Sequence, residues 1–194
     1  NPIKVIIKGK TVNLGVLICE ELWEDDYDFL KPVKLISQRG ADILISVSAS
    51  PSYFDRIEKR VEVCKKRIHE NNLPLVYLNT VGVGDIGKNI LPFDGFSLVF
   101  DKNGELLAHG AHFKEDLLIV DLEKAKSIQI PKFDRWQLMY DQLVMSVRDY
   151  FQKLNFKKAV IGLSGGIDSA LVACIAVDAI GKENVLAVNM PSKF

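Results

Sequence analysis

The chain has 194 residues, an apolar fraction of 48%, and 25 basic against 25 acidic side chains. That length bounds it to one or two domains, each with room for a core. The even charge gives no overall field to draw nucleic acid or an anionic membrane, and no apolar run approaches the roughly 20 residues that span a bilayer. Three cysteines, Cys19, Cys64 and Cys174, are an odd, widely spaced set. They argue against a disulfide framework and for a reducing, cytoplasmic compartment. The opening at Asn1-Pro2, without an initiator Met, reads as part of a longer polypeptide.

Residues 3–8 and 12–18 read as two strands parted by the turn Lys8-Gly9-Lys10. A helix is expected over about 27–39, stopped by Gly40, and then a strand over 43–47. Ala49-Ser50-Pro51 breaks that strand. A long helix follows over about 54–71, with Ile57, Val61, Cys64 and Ile68 as its apolar stripe. A strand at 75–78 leads to a loop at 81–94. Strands 96–100 and 106–109 then form a hairpin about Asp101-Lys102-Asn103-Gly104, and 117–120 is a further strand. Residues 123–133 are polar, carry Pro131, and divide a domain over 1–122 from another over 134–194. In the second, Trp136, Tyr140, Leu143, Val144, Val147, Phe151 and Leu154 line one face of a helix. Strand 159–163, helix 170–180 ending at Gly181, and strand 185–190 make the start of a βαβ unit, so the class is α/β throughout.

The most informative stretch lies inside that unit. An apolar strand runs into Ser164-Gly165-Gly166 and a helix follows. A strand, a glycine turn and a helix start together bring free backbone N–H groups and the positive end of a helix dipole to one point, which suits phosphate. Gly162, Leu163, Ser164, Gly165, Gly166, Ile167, Asp168 and Ser169 include no lysine, so this is not the loop that cleaves an outer phosphate. Asp168 would repel a phosphate unless a cation stood between them, which points to Mg²⁺ as its ligand. The pattern S-G-G-x-D-S resembles the pyrophosphate-binding (PP-loop) turn of ATP-pyrophosphatases, which activate a carboxyl with AMP and release pyrophosphate.

Cys19 stands at the carboxyl end of a strand, where open α/β sheets place ligands. A thiolate there could attack an amide carbon, given a base or cation nearby. Cys64 and Cys174 read as packing residues in apolar helices. Gly15-Val16-Leu17-Ile18-Cys19-Glu20-Glu21-Leu22-Trp23 resembles the nucleophile segment of the nitrilase (carbon–nitrogen hydrolase) superfamily. Ser50-Pro51 with Arg56, Asn79, and Phe93-Asp94-Gly95 resemble the second half of that fold. A nitrilase half followed by a PP-loop domain is the layout of the glutamine-dependent NAD⁺ synthetase family.

That resemblance implies a partial nitrilase-type α-β-β-α sandwich and then the start of a PP-loop Rossmann-like domain. It implies Cys19 as the thiol that takes the acyl group of glutamine and releases ammonia, with Glu20, Ser50 and Arg56 holding the amino acid. It implies ATP on residues 162–169, Mg²⁺ on Asp168, deamido-NAD⁺ as the acceptor of ammonia, and a homo-oligomer without nucleic acid or membrane. The family's catalytic Glu and Lys lie upstream of the cysteine and match nothing in residues 1–18, so the 194 residues alone are expected to be inactive as a glutaminase. Two other readings stay open: a nitrilase-type amidase joined to a different ATP-pyrophosphatase, and a non-catalytic assembly piece.

Two further patterns call for a bland reading. Gly82, Gly84 and Gly87 spell G-x-G-x-x-G after a strand, yet Pro92 and Asp94-Gly95 leave no room for the helix a dinucleotide site needs. His109 and His112 have no third ligand nearby, and the acids between Glu20 and Asp28 read as a solvated surface.

Overall fold

The computed structural model describes residues 1–26, 30–85, 87 and 89–190. Strand β1 (Ile3–Ile7) turns back into β2 (Lys10–Ile18) through Lys8 and Gly9, at φ 49° and 78°. Two successive left-handed residues are what a two-residue hairpin loop requires. Next come α1 (Pro32–Gln38), β3 (Ile43–Ser48), α2 (Arg56–Asn71) and β4 (Leu75–Asn79). β2, β3 and β4 pair in parallel, with Ile18 opposite Val47 and Ser48 opposite Asn79. Their carboxyl ends are therefore brought to one edge.

Strands β5 (Val81–Asp85) and β6 (Ile90–Asp94) form a two-stranded sheet where the sequence suggested a loop. β7 (Leu98–Phe100) and β8 (Leu106–His109) then complete a six-stranded sheet in the order β1-β2-β3-β4-β7-β8. β7 starts later than expected because Phe96 takes φ 46°, outside the extended region. Residues 117–120 form no strand. Leu117 and Ile119 are 86% and 94% exposed, and no neighbouring strand among the described residues receives them.

Residues 1–81 and 93–132 form one compact unit, and 82–92 with 133–194 form another. In the first, Leu17, Leu22, Val33, Leu44, Ile68, Leu75 and Tyr77 are buried. Each large aliphatic side chain so buried contributes about 1.5–3 kcal/mol before entropy is subtracted. α2 buries Val61, Cys64 and Ile68 as the spacing predicts, while Ile57 is half-buried. Beside them the same helix buries Arg60 and Arg67, which no apolar periodicity announces.

The second unit holds α3 (Arg135–Lys153), β9 (Ala159–Leu163), α4 (Ile167–Ile180) and β10 (Val185–Asn189). β9 and β10 are parallel neighbours, with Ala159 opposite Val185. Asp134 caps α3 by accepting the Gln137 N–H at 2.8 Å. Arg148 donates to the Asp178 and Ala179 carbonyls at 3.3 Å, placing a cation on the negative end of α4. Of the expected α3 stripe only Val144 is buried, joined by Met145, and Trp136 is 65% exposed. Asp149 accepts the Val83 N–H at 2.6 Å, and Lys153 donates to the Val83 carbonyl. A Cβ on Gly82 would come within 2.8 Å of Asp149 Oδ2, and its φ is 107°. The glycine-rich pattern thus serves a close backbone approach to α3.

Tyr140 donates to Asp178 at 2.7 Å, and chiefly for that reason its phenol is pushed up to about 12. Its ordinary value is about 10, so the linked stability is complete below about pH 10 and lost as pH rises through the folded value. A titration of phenolate absorbance should show a late-ionising tyrosine, and Tyr140→Phe should remove that step.

Candidate active site

β2 ends at Ile18, and Cys19 follows at φ 46°, half-buried, as the first residue of a 3₁₀ segment, Cys19–Asp26. A non-glycine residue held left-handed costs on the order of 1 kcal/mol and persists only where its surroundings impose it. One such constraint is visible: Glu21 folds back so that its carboxylate accepts the Ile18 N–H at 2.7 Å. Glu20 points to an exposed surface.

The segment after Cys19 meets α2 through a stacked cation. The Arg56 guanidinium lies 4.1 Å from the Trp23 ring centroid and 5.0 Å from that of Tyr53. Its Nε donates to Ser50 Oγ at 2.9 Å and its Nη1 to the Tyr53 hydroxyl at 2.7 Å. A guanidinium fixed on two rings and two hydroxyls is preoriented for a carboxylate. Ser50 follows β3, Cys19 follows β2, and Asn79 ends β4, so all three stand at the carboxyl edge of parallel strands.

Beneath this edge runs a buried network that sequence reading did not foresee. Arg60 clasps Asp94 with two hydrogen bonds, at 3.0 and 2.9 Å, the two side chains being 0% and 2% exposed. Asp94 in turn accepts from Asn79 Nδ2 at 3.0 Å. The Arg60 guanidinium also sits 5.1 Å from the Tyr77 ring, and burial pushes the Tyr77 phenol up while Arg60 opposes that shift. Arg60 and Arg67 are seven residues apart on one face of α2. That spacing was the available signal, since a charge repeated on the apolar face of a helix needs a buried partner.

The acidic run between Glu20 and Asp28 is not simply a solvated surface. Glu24 is 3% exposed, accepts the Val33 N–H at 2.9 Å, and faces Arg67 at 3.5 Å. Asp25 pairs with Lys66 at 2.9 Å and with Arg67. Lys66 first, and then Arg67 against the cost of burial, hold its carboxyl below the usual range. Tyr27 and Asp28 lie outside the described residues. Among the described residues no group of three or more His, Cys, Asp or Glu could hold a metal. His112 stacks on Phe96 at 4.0 Å and His109 tilts against the same ring at 4.9 Å.

The other thiols separate clearly. Cys64 is fully buried, and burial pushes it up to about 12, so it is inert as a nucleophile at neutral pH. Cys174 is exposed rather than packed, because α4 buries only Ala176 and Ala179 among the described residues. A cavity of about 590 Å³ opens against Leu78, Val81, Phe96, Val99 and Leu118, and Cys19, Ser50 and Arg56 do not line it.

In the second unit the glycine turn has the expected shape. β9 ends at Leu163, Gly165 takes φ 85° with open space where a Cβ would stand, and Gly166 is the N-cap of α4. Ser164 Oγ lies 3.2 Å from Ser169 Oγ, which donates to the Gly166 carbonyl at 3.0 Å. Gly162, Gly166 and Asp168 are exposed, and Asp168 sits in the first turn of the helix. Leu163 and Ile167 belong to the strand end and helix start that frame the turn. One carboxylate and two hydroxyls are hard oxygen donors of the kind Mg²⁺ takes, so the residues present fit that ion.

Comparison with known proteins agrees with both halves. The model of the carbon-nitrogen hydrolase family matches residues 3–132, and that of NAD synthase matches 139–194. A glutamine-dependent NAD(+) synthetase of a Synechocystis species is 37% identical over 198 residues, covering 95% of this chain and 35% of the relative. One from Acinetobacter baylyi is 38% identical over 185 residues, covering 93% of this chain and 32% of the relative. The solved glutamine-dependent NAD⁺ synthetase of Acinetobacter baumannii, in complex with ADP, superposes with a TM-score of 0.83 at 36% identity, over 98% of this chain and 35% of that one. The chain spans about a third of the length of the curated relatives it matches. It belongs to the carbon-nitrogen hydrolase family, and over its last third it carries the start of an NAD synthase domain.

Proposed function

We propose that the full-length protein converts deamido-NAD⁺ to NAD⁺ with ATP, using ammonia taken from glutamine. The observation that carries this is one chain holding a cysteine at positive φ at the end of β2, an arginine stacked on Trp23 and bonded to Ser50, and a serine–glycine turn at a helix start. The division 1–122, 123–133 and 134–194 follows the same reading, with a glutaminase part, a linker and a synthetase part.

In this mechanism the Cys19 sulfur attacks the side-chain amide carbon of glutamine. The C–N bond breaks, ammonia leaves with one added proton, and a glutamyl thioester remains. Water then cleaves the thioester to glutamate and restores the thiol. Arg56, steadied by Ser50, pairs with the α-carboxylate of glutamine, and Glu20 faces its ammonium group. The turn from Gly162 to Ser169 presents N–H groups and hydroxyls to the phosphates of ATP. Asp168 would hold Mg²⁺, which would offset phosphate charge when bound. The nicotinate carboxylate displaces pyrophosphate from ATP to form an adenylate, and ammonia then displaces AMP from it.

Calorimetry on the full-length protein tests the nucleotide half. Ser164→Ala with Asp168→Ala should weaken ATP–Mg²⁺ binding by about tenfold or more, the loss expected from removing charge-assisted contacts. Unchanged affinity would remove ATP from this turn.

A further inference from the structure

The parallel ladder of β3 and β4 ends with Ser48 opposite Asn79, and Pro51 prevents its extension. Ser50 lies beyond that end, yet its backbone is held on both sides by one side chain. Asn79 Oδ1 accepts the Ser50 N–H at 2.9 Å, and Asn79 Nδ2 donates to the Ser50 carbonyl at 3.3 Å. The carboxamide does what a further residue of strand would have done, satisfying a donor and an acceptor that the end of the ladder leaves over.

We propose that Asn79 is a positioning residue for the glutamine site, acting through Ser50 on Arg56. Two observations carry this. First, Asn79 fixes the backbone of the residue whose hydroxyl accepts from Arg56 Nε at 2.9 Å, so the height of the guanidinium above Trp23 follows from the amide clamp. Second, the sense of the amide is imposed from beneath. Asp94, locked by two hydrogen bonds from Arg60, can only accept, so it selects Nδ2 and turns Oδ1 towards the Ser50 N–H. The Asn79 backbone is itself anchored, its N–H donating to Ser97 Oγ at 3.1 Å. A chain of satisfied contacts thus runs from a buried ion pair to the cation offered to substrate, and nothing in it touches glutamine before Ser50.

This inference rests on the proposed glutaminase reading, and the experiment keeps the two apart. Steady-state kinetics are measured on the full-length protein with glutamine and, separately, with ammonium as nitrogen donor. Asn79→Ala should raise KM for glutamine about tenfold while kcat with ammonium stays within twofold, a coupling in the range known for residues sharing one network. In an Arg56→Met background the same substitution should change KM for glutamine by less than twofold, because the element it positions is gone. If Asn79→Ala gives no soluble protein, Asn79→Ser is read in its place, since the serine side chain ends one atom short of both carboxamide positions. An unchanged glutamine KM, an equal loss with ammonium, or the full tenfold effect in the Arg56→Met background would each overturn the positioning role. Glutamine-dependent turnover surviving in Cys19→Ser would instead overturn the glutaminase reading itself.

Discussion

Full-length protein carrying Cys19→Ser is expected to lose glutamine-dependent NAD⁺ formation by at least about a thousandfold, the scale seen when a nucleophile is removed. Synthesis supported by ammonium should continue, since under the proposed mechanism that route bypasses the thioester. The expectation follows from position more than from chemistry alone. Cys19 is half-buried at positive φ at the carboxyl end of β2, whereas Cys64 is sealed in the core with its thiol pushed up to about 12. Cys174 is exposed but belongs to the other unit. Cys174→Ser should therefore leave the ratio of the glutamine-supported to the ammonium-supported rate unaltered and serves as the control. Parallel loss with glutamine and ammonium in Cys19→Ser would point to a folding defect and leave the nucleophile assignment without support.

The second large effect concerns stability. Arg60→Met should destabilise the first unit by about 3–5 kcal/mol, because it strands the Asp94 carboxylate in a site that is 2% exposed. Asp94→Leu alone should cost a similar amount by stranding the guanidinium. The double variant should be less harmful than either single change predicts, since two charges then leave the interior together. Denaturant unfolding, followed by a probe in the first unit, measures all three. Strictly additive losses would show that the ion pair is not the coupled element described here. The comparison decides between two views of α2: a helix held by its apolar stripe, or one held in register by a buried charge clasp.

The apolar stripe is the part that reading the chain captures well. Val61, Cys64 and Ile68 are buried on α2 where the spacing places them, and β8 spans Leu106–His109 as its flanking turn predicts. Local pattern is a poor guide where a residue's environment comes from far along the chain. The segment at 81–94 reads as a loop because Gly82, Gly84 and Gly87 weaken any strand signal, yet it pairs with itself and accepts contacts from Asp149 and Lys153. The stretch 117–120 reads as a strand from its branched residues alone, but a strand exists only if a neighbour supplies hydrogen bonds. Glu24 reads as surface charge because its partner, Arg67, is 43 residues away.

Local sequence carries the reactive groups and the point along the chain at which each one stands. A thiol at a strand end, a serine-proline break with an arginine after it, and a serine–glycine turn before a helix are all local patterns. Strand and helix periods and backbone sterics are settled within a few residues. How those groups are held comes from contacts between distant elements: the arginine stacked on Trp23, the asparagine bridging a broken ladder, and the ion pair with Asp94. The reason is physical. A buried charge or an orphaned backbone group is stable only when its partner arrives from another element, and the identity of that partner is fixed by the packing of the sheet and α2.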